Sequence, residues 1–359
     1  MSEAGDRFRI LSVDGGGIRG LIPSLVLQEL EERVRREAGE RRGLSDCFHL
    51  MAGTSTGGLI ALGLTAPDAS GERSRLGAAD LVRFYTEQGP RIFHAGLNGL
   101  LSLGGWLGPK YSPATLERVL RETLGEVRLR DAVRDVVVTS YDMRRREPHF
   151  FKRWRAAESG ERNPQMVDAA LATAAAPTYF PSHGLDDRAL VDGGVFASNP
   201  TVAAIAEALK RAEDEPADLH PQELLVVSLG TGVRESGFEQ REVRRWGKVG
   251  WIRPRSGEPA LIGAVLDGQS DAADHWAHMI LNHDPGDPFP DADEIGANGP
   301  RYFRLQTRLE TPLGLDDASP AALEGLAAAA RRLIDTHDHQ LTEIAGRLAR
   351  HERLPRDPA

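Results

Sequence analysis

The pattern that recurs most plainly along the chain is a short apolar run that ends in glycines and gives way to helical spacing. Phe8, Ile10, Leu11 and Val13 read as a buried strand. After the glycine-rich "DGGGIRG", apolar residues fall at Leu21, Ile22, Leu25, Val26, Leu30 and Val34. That spacing predicts a helix, with Arg33, Arg35 and Arg36 in its last turns and Gly39 as its stop. The same grammar returns in "CFHLMAGTSTGGLIALGL", where an apolar run reaches Gly53 and helical spacing resumes through Leu59, Ile60 and Leu62. "DVVVTSYD", "RALVDGGV" and "ELLVVSLGTG" predict further buried strands, and "NPTVAAIAEALKRAED" predicts a helix opened by Asn199 and Pro200. Near the end, "SPAALEGLAAAARRLI" predicts a closing helix with Ser319 as its cap and Pro320 in its first turn.

Strands alternating with helices predict an α/β fold, three layers in the order α/β/α around a mainly parallel central sheet. No Gly/Ser linker divides the chain, so residues 8–350 read as a single domain, with the chemistry-bearing motifs in 10–232 and an extension in 233–350. From Val233 to about Pro300 the sequence is rich in Arg, Asp, Gly and Pro, which predicts long surface excursions.

Composition narrows the function classes. With 53 acidic against 44 basic side chains the formal charge is −9, and no long basic block offsets it, which argues against a nucleic-acid polymer as partner. Cys47 is the only cysteine, so an intrachain disulfide and a cysteine-based zinc cage are excluded, in keeping with a reducing compartment. The opening "MSEAGDRFRI" lacks an apolar signal core, and no run approaches the ~20 apolar residues of a membrane span. The expectation is a cytoplasmic protein whose contact with a membrane is peripheral. Nothing in the sequence fixes the oligomeric state.

Gly15, Gly17 and Gly20 spell G-x-G-x-x-G, the written form of a dinucleotide-binding turn. That reading requires an acidic residue about 20 positions on, at the end of a second strand. "REAGERRGLSD" offers Glu37 and Glu40 with no apolar run before either, so a dinucleotide-binding oxidoreductase fails this test. A second motif suits the glycines better. Gly53, Thr54, Ser55, Thr56 and Gly57 form a G-x-S-x-G between an apolar run and a helix, the setting of a nucleophile elbow. Acyl transfer also needs donors aimed at the tetrahedral oxyanion, and glycine lets backbone amides approach without a Cβ in the way. Gly15, Gly16 and Gly17 can supply them, because loops at the carboxyl ends of parallel strands share one face. By the same reasoning Asp192, which ends an apolar run and precedes Gly193 and Gly194, belongs on that face. Asp14 either accepts N–H groups of the glycine loop or caps the next helix.

"DGGGIRG", "GTSTG" and "DGG", in that order, resemble the patatin-like phospholipase family, in a bacterial, cytoplasmic form. "KYSP" at 110–113, "ATAAAPTYFP" at 172–181, "NP" at Asn199, "LVVSLGTG" at 225–232, "YFRLQ" at 302–306 and "DDASPAALEGL" at 316–326 extend the likeness. It is dense from Ile10 to Gly232 and sparse beyond. The resemblance implies a Ser-Asp dyad with Ser55 as nucleophile and Asp192 as proton acceptor, working through an acyl-enzyme on membrane glycerolipids. It also implies an oxyanion hole at Gly15, Gly16 and Gly17, with Arg19 steadying that loop or contacting a phosphate, and no metal or organic cofactor. Some bacterial members of similar size act as antiviral effectors that attack membrane lipid after binding a cyclic nucleotide. For such an activator the places to look are Arg144 to Arg146 and the segment around Trp251.

Rival readings remain. A non-catalytic storage or scaffolding protein could use the same scaffold. A Ser-His-Asp hydrolase could draw on His183, His275 or His278, though none has a strand-end setting like that of Asp192. "HWAH" at His275 to His278 has i, i+3 spacing without a third metal ligand nearby and reads as helix surface. "RRWGKVGWIRPR", Arg244 to Arg255, reads either as a lipid-surface anchor through Trp246 and Trp251 or as a solvated loop with buried tryptophans.

Overall fold

The first apolar run folds as strand β1 (Phe8–Val13), and its side chains show why the molecule is layered. Ile10 packs with Ala204, Ile205 and Ala277 on one side of the sheet. Leu11 and Val13 pack with Ile22, Val26 and Leu30 on the other. Successive strand side chains point to opposite faces, so a strand covered on both sides must be apolar at consecutive positions. The computed structural model describes residues 6–94, 108–158, 163–213, 219–234, 237–252, 254–255, 258–282, 300–310, 313–351 and 354.

Seven further strands complete the central sheet: β2 (Leu50–Thr54), β3 (Asp135–Asp142), β4 (Glu147–Lys152), β5 (His183–Leu185), β6 (Arg188–Asp192), β7 (Leu224–Leu229) and β8 (Tyr302–Leu305). Their order is β8-β7-β1-β2-β3-β6-β5, with β4 also on β3. The pairs from β8 across to β3 are parallel, while β4, β5 and β6 join antiparallel. The sheet is therefore mainly parallel and sandwiched by helices, the expected α/β/α architecture.

On one face lie α1 (Leu21–Ala38), α2 (Thr56–Thr65), α3 (Pro113–Leu124) and α4 (Met166–Ala174), and the last two helices, α7 (Pro320–Thr336) and α8 (Asp338–Arg350), pack on α1. On the other face lie α5 (Thr201–Glu213) and α6 (Ala260–Leu281). The sequence signals for helix ends hold. Gly39 terminates α1 at φ 100°, Asn199 Oδ1 accepts from the Thr201 N–H at 3.0 Å, and Ser319 Oγ accepts from the Ala322 N–H at 3.3 Å.

Two expectations need correction. The stretch from Val233 to Pro300 is not simply loops, because it contains α6, a helix of 22 residues whose Ala273, Ala277 and Leu281 are buried. Its buried side is made mostly of small residues, Ser270, Ala273 and Ala277 among them, which leaves no stripe of large apolar positions to mark it; residues 283–299 of the same stretch lie outside the described residues. The second correction concerns β6. It runs antiparallel to β3, so Asp192 does not reach the site by the rule that parallel strands share a carboxyl-end face.

Candidate active site

The arrangement that brings Ser55 and Asp192 together is written in the register of β3. On one edge of β3, Thr139 pairs with Thr54, the last residue of β2. The next residue, Ser140, pairs with Asp192, the last residue of β6. The opposite edge is occupied by β4 along 137–142. β2 and β6 thus approach each other head-on along one edge and stop where they meet. The residue after Thr54 must face the end of β6, and that residue is Ser55.

The join is tied down by hydroxyls. The Thr54 and Thr139 Oγ1 atoms lie 2.7 Å apart, and Thr54 Oγ1 donates to the Ala197 carbonyl at 2.6 Å. The Ser55 N–H donates to Thr173 Oγ1 on α4 at 2.8 Å. Ser55 itself sits at φ 54° and ψ −122°, a conformation that costs a non-glycine residue about 1–3 kcal/mol and persists only where its surroundings enforce it. Gly57 explains part of that enforcement: a Cβ there would lie 2.0 Å from the Val13 carbonyl oxygen, so only glycine lets α2 start this close to β1.

Asp192 is buried, accepts a hydrogen bond from the Gly194 N–H at 2.7 Å and has the Ser55 hydroxyl beside it. Burial raises its pKa from 3.8 to about 6, against the opposing effect of the Ser55 hydroxyl and the Gly194 N–H. The chemistry is that of a carboxylate made more basic than usual, with a hydroxyl next to it.

β1 and β2 are in register at Val13 and Gly53, so the glycine loop leaves the sheet level with the elbow. That loop is anchored from several directions. The Gly15 N–H donates to the Ser198 carbonyl at 2.9 Å, and the Gly15 carbonyl accepts from Thr231 Oγ1 at 2.7 Å. The Ile18 N–H donates to the Leu315 carbonyl at 2.8 Å, and a Cβ on Gly17, which adopts φ 59°, would lie 2.0 Å from that same oxygen. Arg19 Nε donates to the Gly16 carbonyl at 3.4 Å, so this side chain steadies the loop. One expectation changes here: the Gly15 amide is already committed to Ser198, which leaves Gly16 and Gly17 as the amides of the loop for which the described residues offer no acceptor.

Asp14 takes neither of its two expected roles. It is buried against Arg304, whose Nη1 and Nη2 donate to its carboxylate at 3.0 and 2.5 Å, and Ser270 Oγ of α6 donates at 3.1 Å. Burial pushes the Asp14 carboxyl up, while Arg304 and Ser270 pull it down. Arg304 Nη1 also donates to Ser228 Oγ at 2.9 Å, and the Thr201 hydroxyl links Ser228 to Ser12, each at 2.9 Å. A polar ladder therefore runs beneath the glycine loop through an otherwise apolar layer. Sequence reasoning missed Arg304 and Ser270; "YFRLQ" marked the place, but nothing local showed that its arginine would pair with Asp14.

The two motifs open into a cavity of about 380 Å³ whose wall includes Gly16, Gly17, Ser55 and Asp192. The remainder is mostly apolar, including Leu59, Phe84, Phe93, Phe180, Ile262 and Val265. No histidine lines it among the described residues. His183 instead bonds Asp168 at 3.3 Å, and His275 and His278 lie on α6 outside the cavity wall. Arg144 and Arg145 are engaged by Asp187 and Asp142 at the β3–β4 turn. Among the described residues no cluster of three metal-ligating side chains occurs, and no helix is long and apolar enough to cross a membrane.

The chain is similar in sequence to several known proteins. Residues 11–205 match the family model described as patatin-like phospholipase. Patatin-like protein 1 of Oryza sativa subsp. indica is 37% identical over 308 residues, covering 80% of this chain and 74% of that protein. Patatin-like protein 2 of Arabidopsis thaliana is 36% identical over 392 residues, covering 98% and 93%. Among solved structures, VipD from Legionella pneumophila aligns with a TM-score of 0.40 at 11% identity, over 92% of this chain and 67% of that one.

Proposed function

The chain belongs to the patatin-like phospholipase family, which makes it a lipid acyl hydrolase, and from that premise we propose that it cleaves the carboxylic esters of membrane glycerophospholipids with Ser55 and Asp192 alone as its acid-base and nucleophilic pair. The observation that carries this reading is the buried Asp192 carboxylate beside the hydroxyl of a serine on a strained turn, at an apolar cavity lined by no histidine among the described residues.

Ser55 Oγ attacks the ester carbonyl carbon as its proton passes to Asp192. The oxyanion is held by the Gly16 and Gly17 N–H groups and by the amino end of α2, where backbone donors have no partner within the helix. Collapse of the tetrahedral intermediate expels the alcohol, which takes the proton from Asp192 and leaves an acyl group on Ser55. Water then attacks with Asp192 again as base, releasing the fatty acid. With a pKa of about 6 the acceptor is a better base than an ordinary carboxylate yet remains mostly ionised at neutral pH. The apolar wall suits an acyl chain and keeps bulk water from the acyl-enzyme until the alcohol has left.

The test is hydrolysis of mixed glycerophospholipids read by lipid mass spectrometry, with Ser55→Ala alongside the parent. Free fatty acid and lysolipid are expected from the parent and not from the variant. Equal release from both would refute the assignment, and absence of release from either, with p-nitrophenyl butyrate also untouched, would favour the storage role.

A further inference from the structure

Large apolar side chains left in solvent concentrate at the rim of the cavity. Leu261 and Val265, on the first turns of α6, belong to the cavity wall yet are 48% and 42% exposed. Against α6 packs a short helix, Lys248–Ile252, from which Val249 and Ile252 stand out at 72% and 49%. Their i, i+3 spacing puts both on one side of that helix. Water-facing apolar groups gathered at the entrance to an apolar cavity mark a docking surface rather than scattered exposure.

The charges nearby indicate what docks. From Glu239 to Ile252 there are four cations, Arg241, Arg244, Arg245 and Lys248, against Glu239 and Glu242, on a chain whose net charge is −9. The four cations are exposed. Of the two readings of this segment, the tryptophans fit the packed one better than the anchor. Trp246 packs edge-on against Phe238 and Trp251, at 4.8 and 5.2 Å between ring centroids; both tryptophans are half-buried, while Phe238 is exposed. This packing holds the segment in shape so that the aliphatic side chains project instead. Arg253, in the same stretch, lies outside the described residues.

We propose that the rim formed by Val249, Ile252, Leu261 and Val265, flanked by Arg244, Arg245 and Lys248, docks on an anionic phospholipid bilayer and admits an acyl chain directly to the cavity. The aliphatic groups enter the headgroup zone while the cations meet its negative surface, the two-part attachment by which a peripheral protein holds a membrane. The docking surface rests on the lipid-hydrolase reading only for the direction in which the acyl chain travels.

The experiment compares the full chain with a Val249→Ser/Ile252→Ser variant, both residues lying outside the cavity wall. Co-sedimentation uses vesicles of phosphatidylcholine containing about a third phosphatidylglycerol, and hydrolysis is measured on the same vesicles and on soluble p-nitrophenyl butyrate. Vesicle binding and vesicle hydrolysis are expected to fall about tenfold or more, with the soluble ester hydrolysed as before. Arg245→Glu/Lys248→Glu is expected to weaken binding to these vesicles and to leave binding to pure phosphatidylcholine nearly unchanged. Trp276→Ser is the control. It is 56% exposed but lies about 22 Å along α6 from Leu261, and it is expected to change neither readout. Parental vesicle binding by Val249→Ser/Ile252→Ser, a parallel fall in soluble-ester hydrolysis, or an equal effect from Trp276→Ser would each overturn the docking surface. Ser55→Ala is expected to bind vesicles as the parent does, so a failure of the catalytic assignment shows itself separately from a failure of docking.

Discussion

Replacing Asp192 by asparagine should destroy activity and make the protein more stable, with a pH dependence that identifies the cause. The aspartate titrates at about 6 in the folded protein against an ordinary value of 3.8. Between those two values the folded chain holds a proton that the unfolded chain has released, so the parent loses stability as pH rises through that window. Below about pH 3 the penalty is absent; above about pH 7 it is fully present. At about 1.4 kcal/mol for each pH unit, the gap amounts to about 3 kcal/mol. Asparagine keeps the geometry: its carbonyl still accepts from the Gly194 N–H, and its amide can donate to Ser55 Oγ, while no charge has to be buried. The expected result is a variant about 3 kcal/mol more stable than the parent at about pH 8, with the difference shrinking toward zero at about pH 4. Urea unfolding of both proteins across that range measures it, and taking the difference at each pH cancels the other titrating groups. The parent's kcat/KM on p-nitrophenyl butyrate should rise through a limb centred on about 6, since only the ionised carboxylate can accept the serine proton. A stability difference that stays flat with pH, or an asparagine variant less stable than the parent at the alkaline end, would refute the claim that burial of this charge sets the basicity of the site.

Arg304→Met should cost about 3–5 kcal/mol, because it leaves Asp14 buried with Ser270 as its one remaining side-chain partner among the described residues, and a thermal or urea scan would read it. Its destabilisation should be smaller at acid pH, where Asp14 can take a proton, its pKa having been raised by burial. Ser55→Gly should abolish ester hydrolysis and raise stability by about 1 kcal/mol, because glycine adopts φ 54° without strain; Ser55→Ala should be equally inactive without that gain. Equal stability of the two serine variants would show that the elbow is not strained.

Much of this was legible in the sequence, for reasons that differ by residue. β1, β2 and β7 announce themselves because strands buried on both faces need unbroken apolar runs, and α7 announces itself through Ser319 and Pro320. The neighbours of Ser55 are legible because the sharp turn admits so few residue types. The placement of Asp192 was anticipated for an incorrect reason, since strand direction depends on pairing across the sheet and leaves no mark in a five-residue run. The occupation of the Gly15 amide by Ser198 and the pairing of Asp14 with Arg304 are contacts between residues 183 and 290 positions apart, invisible to any local pattern. α6 could have been found. Leu261, Ile262, Val265 and Leu266, with Ala273 and Ala277 beyond them, keep helical spacing, but the buried side is lined by small residues instead of a stripe of large ones.

The loop that would steady the reaction's negative charge is fastened by Thr231, Arg304 and Leu315, all of which are translated long after Ser55 and Asp192. On the ribosome this sets an order of events. The growing chain carries Ser55 and Asp192 early, but the glycine loop gains its full set of contacts only once Leu315 has emerged to meet Ile18. A chain cut short before Leu315 therefore lacks the carbonyl that holds the Ile18 N–H and closes on Gly17, and its glycine loop is left without that support.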